Sequence, residues 1–213
     1  MKLYTYFRSS AAWRVRIALA LKGLTYTPEF VHLLRGGGEQ LTKAYRDKNP
    51  TALVPTLETD TGVLILQSLA IIELLEELHP DPPLLPRDSL ARAKARAIAL
   101  VIACDIHPLN NLRVLRYLKH EMNQSDEARD AWYSHWIWEG FTALEALLRS
   151  EPGPFCLGAA PGLADICLVP QMANARRLNC PLEAYPSLVR AEAAALALPA
   201  FRDSAPERQP DAS

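Results

Sequence analysis

Residues 7–19 read Phe7-Arg8-Ser9-Ser10-Ala11-Ala12-Trp13-Arg14-Val15-Arg16-Ile17-Ala18-Leu19, and the rest of the chain is organised around them. The residues that lead into this stretch, 3–7, are mostly aromatic or β-prone and are typical of a strand. Apolar side chains then recur at four-residue spacing, which predicts a helix with Ser9 or Ser10 as N-cap and Gly23 at its end. The first N–H groups of a helix are unpaired and its dipole is positive there, so this helix N-terminus favours an anion.

The composition bounds the class of protein. The chain has 213 residues, 49% of them hydrophobic and 22% charged, with a formal net charge of −1. These values are typical of a soluble globular protein, and the charge gives no electrostatic case for binding nucleic acid or an anionic membrane. No apolar run approaches the roughly 20 residues that span a bilayer, and no signal peptide is recognisable.

The cysteines and histidines do not predict a metal site. The four cysteines form no CxxC pair and no metal-ligand spacing, and the five histidines form no HExxH motif. We therefore expect reduced thiols, a cytoplasmic location and no bound metal.

Residues 1–80 alternate between strand and helix signals. The predicted order is β-α-β, a short helix near residues 39–47, then a β-hairpin around Asp60-Thr61-Gly62 and a helix from Gln67 to Leu78. The second strand, within residues 24–31, is expected to run parallel to the first. Four prolines within residues 79–86 predict a linker.

Beyond the linker the strand signal disappears. Residues 87–120 are predicted to form a helix bent near His107-Pro108, and further helices are expected over residues 125–150, 162–178 and 187–198. The tail from Ser204 is polar and is expected to be loosely held. The predicted architecture is thus an α/β domain over residues 1–80 and an all-helical domain over residues 87–213.

Two further stretches bear on ligand binding. Pro55 lies at the head of an inner strand, so the Val54-Pro55 bond is either cis, which would turn the Val54 backbone toward an extended peptide, or part of an ordinary strand edge. Ser68 is either a plain N-cap or, with Gln67, part of a second helix N-terminus that holds a ligand carboxylate and amino group.

Together these features predict a thioredoxin-like fold that holds a small acidic peptide with a thiol. In thiol oxidoreductases of that fold a CxxC motif occupies the first helix N-terminus. Here Ser9, Ser10, Ala11 and Ala12 occupy that place, so the ligand must provide the sulfur.

Motifs along the whole chain support a family resemblance. They are Tyr6-Phe7-Arg8-Ser9-Ser10, Trp13-Arg14-Val15-Arg16, Asn49-Pro50, Val54-Pro55-Thr56-Leu57, Gln67-Ser68-Leu69-Ala70, Pro108-Leu109-Asn110-Asn111, Leu163-Ala164-Asp165-Ile166 and the tail Arg208-Gln209-Pro210-Asp211. With them the sequence resembles the zeta class of glutathione transferases, the maleylacetoacetate and maleylpyruvate isomerases. The resemblance implies glutathione as cofactor and a homodimeric assembly.

The resemblance also implies roles for individual residues. It places Ser9 and Ser10, with Ala11 beside them, at the glutathione sulfur. The remaining implied contacts with glutathione or the adjoining cleft come from Gln40, Val54, Pro55, Gln67, Ser68, His107, Asn111 and Arg113.

Three positions depart from the family pattern. Ala11 stands where the family usually has Cys, which excludes an essential protein thiol at that place. His107 stands in place of Gln and adds a group that titrates near neutral pH. Gly162 replaces the Ser or Thr that usually caps the helix bearing Asp165, and glycine is a tolerated cap.

The bound thiol must be ionised and a substrate must be held. A cysteine thiol has a reference pKa of about 8.5, and lowering it by about two units needs about 2.7 kcal/mol, which a helix N-terminus and a serine hydroxyl together can supply. Tyr4 and Tyr6 are rival hydroxyls, although their place on the first strand favours packing. For substrate carboxylates the candidates are Arg8, Arg176 (favoured over Arg177) and Arg113, while Arg14 and Arg16 are expected to be structural.

The predicted activity is glutathione-dependent cis–trans isomerisation of maleylpyruvate or maleylacetoacetate to the fumaryl isomer, during breakdown of aromatic compounds. The catalytic residues would be Ser9, Ser10, Arg8 and Arg176, and the second partner a small dicarboxylate. A conjugating transferase that consumes glutathione on electrophiles such as haloacids is the first alternative. A non-enzymatic binding protein that keeps the fold is the second.

Overall fold

Four strands form a mixed sheet in the computed structural model, which describes residues 1–212. The strands are β1 (Lys2–Thr5), β2 (Thr27–Phe30), β3 (Thr56–Glu58) and β4 (Leu64–Leu66), in the order β2-β1-β3-β4. β1 is parallel to β2 and antiparallel to β3, and β3 and β4 form an antiparallel hairpin. The predicted parallel pair and hairpin are both confirmed.

Three helices belong with this sheet: α1 (Ser10–Leu21), α2 (Lys43–Arg46) and α3 (Ser68–Leu78). α1 ends as predicted, because Gly23 adopts a φ of 66° and the Leu24 N–H donates to the Leu19 carbonyl at 2.9 Å. α1 is buried on nearly every side, since even its residues Arg14 and Arg16 are only 2% exposed. This element order is that of the predicted thioredoxin-like domain.

The proline-rich linker is irregular but firmly attached. The side chain of Lys22 is fully buried, with its Nζ 2.7 Å from Glu76 Oε2 and 3.0 Å from the carbonyl of Pro82. The Leu84 N–H also donates to Glu76 Oε2, at 3.0 Å. Because a buried charge is tolerated only when it is paired and hydrogen-bonded, these contacts hold residues 79–84 against α1 and α3.

A second unit, residues 85–197, is mainly helical. Its helices are α4 (Ser89–Leu100), α5 (Leu112–His120), α6 (Asp126–Leu148), α7 (Leu163–Arg177) and α8 (Pro186–Leu196). The predicted helix over residues 87–120 is interrupted at His107-Pro108, because α5 begins only at Leu112, and α4 passes into a π-helical segment at Val101–Ile106 before this interruption. At α7 the Asp165 carboxylate accepts the N–H groups of Cys156 at 2.8 Å and Gly162 at 3.0 Å, so the glycine cap is supported from within the helix.

The C-terminal segment does not belong to the helical unit, in contrast to the predicted helical domain over residues 87–213. Residues 198–212 belong to the first unit, with residues 1–84, and not to the helical unit. A short helix, α9 (Pro199–Arg202), packs against α1, and Ser204 and Asp211 form hydrogen bonds with residues 7–16. The tail that was expected to be loose is therefore part of the first unit. No helix within residues 1–212 has the length and apolar character to cross a membrane.

Candidate active site

One edge of the sheet collects four of the predicted ligand-binding segments. Tyr4 pairs with Thr56, and Thr56 pairs with Leu66, so the end of β1, the start of β3 and the end of β4 lie side by side. β2 ends at the same edge, because Phe30 pairs with Thr5. The segments that continue from this edge carry Ser9, Gln40, Val54-Pro55 and Gln67-Ser68. The strand topology thus starts all four segments at the same edge of the sheet.

The N-terminus of α1 presents Ser9. Ser9 is the N-cap, and its Oγ accepts the Ala12 N–H at 3.2 Å. Ser10 is the first helical residue and is 6% exposed, whereas Ser9 and Ala11 are partly exposed. The structure therefore decides that Ser9 is the cap. A capping serine can accept from the helix and still donate its own proton to an anion.

Val54 and Gln40 have polar groups without partners. The Val54-Pro55 bond is cis, one of the two alternatives open at the sequence level, and no hydrogen bond within residues 1–212 engages the main chain of Val54. Gln40 is buried, and its Oε1 has no partner within the same range. Its amide lies against Gly38, where φ is 125° and an added Cβ would meet Gln40 Nε2 at 2.6 Å. A buried amide oxygen without a partner costs free energy, so it indicates a ligand.

The N-terminus of α3 carries an unusual backbone conformation. Gln67 is exposed and has φ of 70° and ψ of 123°, values that a residue with a side chain rarely adopts. Ser68 follows as the first residue of α3 and is 6% exposed. Backbone conformations of this kind are concentrated at ligand sites, where the surrounding structure enforces them.

These residues fit a small anionic peptide. Two helix N-termini favour carboxylate or thiolate groups, the Val54 main chain offers a donor and an acceptor, and Gln40 offers a buried amide. Glutathione has two carboxylates, two peptide bonds and a thiol, and it matches this set of groups.

The two rival tyrosines are otherwise engaged. Tyr4 donates its hydroxyl to Glu58 at 2.7 Å, and burial together with this hydrogen bond raises the pKa of Tyr4 to about 12. Tyr6 packs edge-on against Phe7 and His32, and burial raises its pKa as well. The Tyr4 proton is thus committed to Glu58 and the Tyr6 ring is held by packing, in agreement with the packing role expected for both residues.

The arginines of the first unit differ sharply in environment. Arg8 is exposed, and its guanidinium forms no hydrogen bond or ion pair within residues 1–212. Arg16 is buried and donates to Thr5 Oγ1 at 3.1 Å and to the Phe7 carbonyl at 3.0 Å, so its expected structural role is confirmed. Arg8 is therefore the guanidinium available beside Ser9.

The second unit contributes three candidate ligand-binding residues, which lie at or near helix ends. His107 follows the π-helical segment, and Asn111 is the N-cap of α5, where its Oδ1 accepts the Arg113 N–H at 3.1 Å. Arg113 itself is exposed.

Arg176 has a partner that sequence reasoning missed. Its Nε lies 3.0 and 3.1 Å from the two carboxylate oxygens of Glu192 on α8, and its Nη2 also contacts Glu192. Arg177 Nη2 lies 3.4 Å from the hydroxyl of Tyr133. Glu192 could not be found from helical spacing, because its partner lies on another helix.

Comparison with known proteins extends these observations. The profile of the family "Glutathione S-transferase, N-terminal domain" matches residues 8–78. A probable maleylacetoacetate isomerase of Vibrio cholerae is 49% identical over 210 residues, which cover 99% of this chain and 97% of that protein.

Two solved structures show the same similarity over nearly their full length. A holo structure of maleylpyruvate isomerase, described as a bacterial zeta-class glutathione transferase, is 46% identical with a TM-score of 0.96, and it covers 100% of both chains. A maleylacetoacetate isomerase from Anaeromyxobacter dehalogenans with bound glutathione is 45% identical with a TM-score of 0.89, over 100% of this chain and 97% of that one. With this identity along its whole length, the chain belongs to the zeta class of the glutathione transferases.

Proposed function

We propose that this chain is a glutathione-dependent cis–trans isomerase that converts maleylpyruvate or maleylacetoacetate to the fumaryl isomer. The observation that carries the proposal is the serine-capped N-terminus of α1, which has no CxxC motif and has the uncommitted guanidinium of Arg8 beside it. Relatives with this identity carry the names of both isomerases.

Glutathione supplies a thiolate nucleophile that can add reversibly to the cis double bond of the substrate. The chain's residues hold it in place: Gln67 and Ser68 at the γ-glutamyl end, the Val54 main chain beside Pro55 at the cysteinyl unit, and Gln40 near the glycine end. Ser9 donates a hydrogen bond to the sulfur at the positive end of α1, with Ser10 and Ala11 adjoining, which favours the thiolate over the thiol.

Substrate binding is assigned to arginines. Arg8 is proposed to hold a carboxylate of the maleyl compound and to stabilise the negative charge that develops on the substrate during the reaction. Arg176 is the second candidate, with its Nη1 left for substrate while Nε and Nη2 bind Glu192. The family resemblance assigns further ligand contacts to His107, Asn111 and Arg113.

The environment of the enzyme follows from the same proposal. We place it in the cytoplasm as a two-fold dimer. The four cysteines are free, and free cysteines are typical of a reducing compartment. The dimer rests on the resemblance to the family.

The test is isomerisation of maleylpyruvate and maleylacetoacetate, followed spectrophotometrically with and without glutathione. Isomerisation that requires glutathione, with all the glutathione recovered after many turnovers, supports the proposal and identifies the substrate. Stoichiometric loss of glutathione would indicate a conjugating transferase instead. Failure to bind immobilised glutathione would indicate a protein that keeps the fold without the activity.

A further inference from the structure

The turn that carries Arg8 and Ser9 is fixed from behind by the C-terminal segment. The Ser9 N–H donates to the Tyr6 carbonyl at 3.0 Å, which closes the turn. The Phe7 N–H plays no part in this turn, and it donates to Asp211 Oδ2 at 2.9 Å. The chain ahead of the thiol site is thus attached to a residue 204 positions away.

Arg16 provides a second connection between the same segments. Its Nη2 donates to the Phe7 carbonyl at 3.0 Å and its Nε to the Ser204 carbonyl at 3.1 Å. The Trp13 Nε1 also contacts Ser204, with 3.3 Å to its Oγ. Both main-chain polar groups of Phe7 are therefore satisfied from outside the turn, by Asp211 and Arg16.

The Asp211 carboxylate is partly desolvated without full hydrogen bonding, which is unfavourable for folding. Its Oδ1 is buried and has no hydrogen-bond partner within residues 1–212. Burying a carboxylate with one oxygen unpaired costs free energy, which an apolar residue at this position would avoid. The nearby charge of Arg16 offsets part of this cost, since the two groups attract each other.

We infer that Asp211 is a positioning residue for the thiol site, acting through the Phe7 N–H to hold Arg8 and Ser9 in place. The inference rests on the proposed function, because it gives the C-terminal segment a role in ionising the bound thiol. It also explains why a polar tail belongs to the first unit.

The test compares D211A and D211N with the control E207A in the full-length protein. Glu207 lies in the same tail, is exposed and has no partner within residues 1–212. Two readouts are used: the pH titration of thiolate absorbance in the glutathione complex, and hydrogen–deuterium exchange of the amides of Phe7–Ser10. We expect D211A to raise the pKa of the thiol, leaving up to about tenfold less thiolate at neutral pH, and to speed local exchange. D211N, which keeps a neutral acceptor, should lie between, and E207A should match the wild type.

Several outcomes would overturn the inference. One is a D211A protein with wild-type thiol pKa and wild-type exchange at Phe7–Ser10. Another is exchange that rises equally throughout the chain, which would make Asp211 a purely structural residue. If D211A fails to fold, a D211N protein identical to the wild type in both readouts decides against the inference. A wild-type chain that binds no glutathione would refute the proposed function instead. Hydrogen–deuterium exchange at Phe7–Ser10 would then still test whether Asp211 holds this turn in place.

Discussion

Replacing Ser9 with Ala separates the chemical role of this residue from its structural one. The Ser9 hydroxyl caps α1 by accepting the Ala12 N–H, and we propose that it donates its proton to the bound thiolate. Loss of the cap should lower the free energy of unfolding by about 1 kcal/mol. Loss of a hydrogen bond to a charged group removes a further ~1.5–3 kcal/mol from the thiolate complex alone.

The loss of the hydrogen bond from Ser9 to the thiolate can be measured. It corresponds to a rise of about one to two units in the pKa of the bound thiol. If thiolate is the reactive form and the wild-type pKa lies about two units below the reference value of 8.5, the thiolate fraction at pH 7, and with it kcat, should fall by about 3- to 25-fold. Thiolate absorbance in the glutathione complex gives the pKa, steady-state kinetics give kcat, and urea denaturation gives the stability.

Two variants make the test specific. Ser9→Gly keeps a tolerated N-cap, so it should lose only a few tenths of a kcal/mol in stability while raising the thiol pKa as much as Ser9→Ala does. Ser125→Ala removes a comparable cap, because Ser125 Oγ accepts the Ala128 N–H at 3.1 Å at the start of α6, and it should leave the thiol pKa unchanged. An unchanged thiol pKa in both Ser9 variants would refute the role of this hydroxyl, and a shift in Ser10→Ala alone would transfer the role to Ser10.

Three further predictions concern the other candidate residues. Arg8→Ala should lower kcat/KM for the maleyl substrate at least tenfold with glutathione affinity unchanged, measured by kinetics and calorimetry, and equal kcat/KM would exclude Arg8. Arg176→Ala should lower kcat and also reduce the free energy of unfolding by about 1–2 kcal/mol, because it leaves Glu192 buried and unpaired. Adding Glu192→Gln should restore the stability but not kcat. An unchanged kcat in Arg176→Ala would exclude Arg176 from substrate binding. Tyr4 has a pKa of about 12 against an ordinary 10.0, so the folded protein keeps a proton that the unfolded chain releases and stability should fall between pH 10 and 12. Tyr4→Phe should weaken that fall, seen in denaturation at alkaline pH, and a lower kcat in this variant would reinstate Tyr4 as a catalytic hydroxyl.

Local signals in the sequence were sufficient to predict most helices and strands of the first unit. A serine cap and the left-handed stop at Gly23 depend on residues within one turn of each helix end, so both were predicted from the sequence, although only the structure identifies Ser9 and not Ser10 as the cap. The hairpin before α3 likewise depends on Asp60-Thr61-Gly62 and its flanking strands. Once these elements are placed, the sheet register brings their ends to one edge.

The missed features depend on contacts between residues far apart in the sequence. Arg16 and Ser204 are 188 positions apart, and a polar, proline-containing tail looks the same whether it is free or bound to another element. The π-helical segment before Pro108 was missed for a different reason. Proline predicts that a helix is disturbed, but it does not specify which hydrogen-bonding pattern replaces the α-helical one.

The arginines show why sequence reasoning could nominate substrate-binding residues without identifying the partners that each guanidinium already has. All arginines carry the same charge in the sequence, but their partners in the structure differ. Arg16 donates to main-chain carbonyls and Arg176 forms an ion pair with Glu192. Arg8 forms no hydrogen bond or ion pair within residues 1–212. A substrate carboxylate that approaches Arg176 also meets the negative charge of Glu192, so its net attraction there is weaker than the guanidinium alone would give. Arg8 forms no such ion pair within residues 1–212, and the positive end of α1 adds to the attraction. We therefore propose that Arg8 is the main binding group for the substrate carboxylate nearest the sulfur, and we expect Arg8→Ala to lower kcat/KM more than Arg176→Ala does.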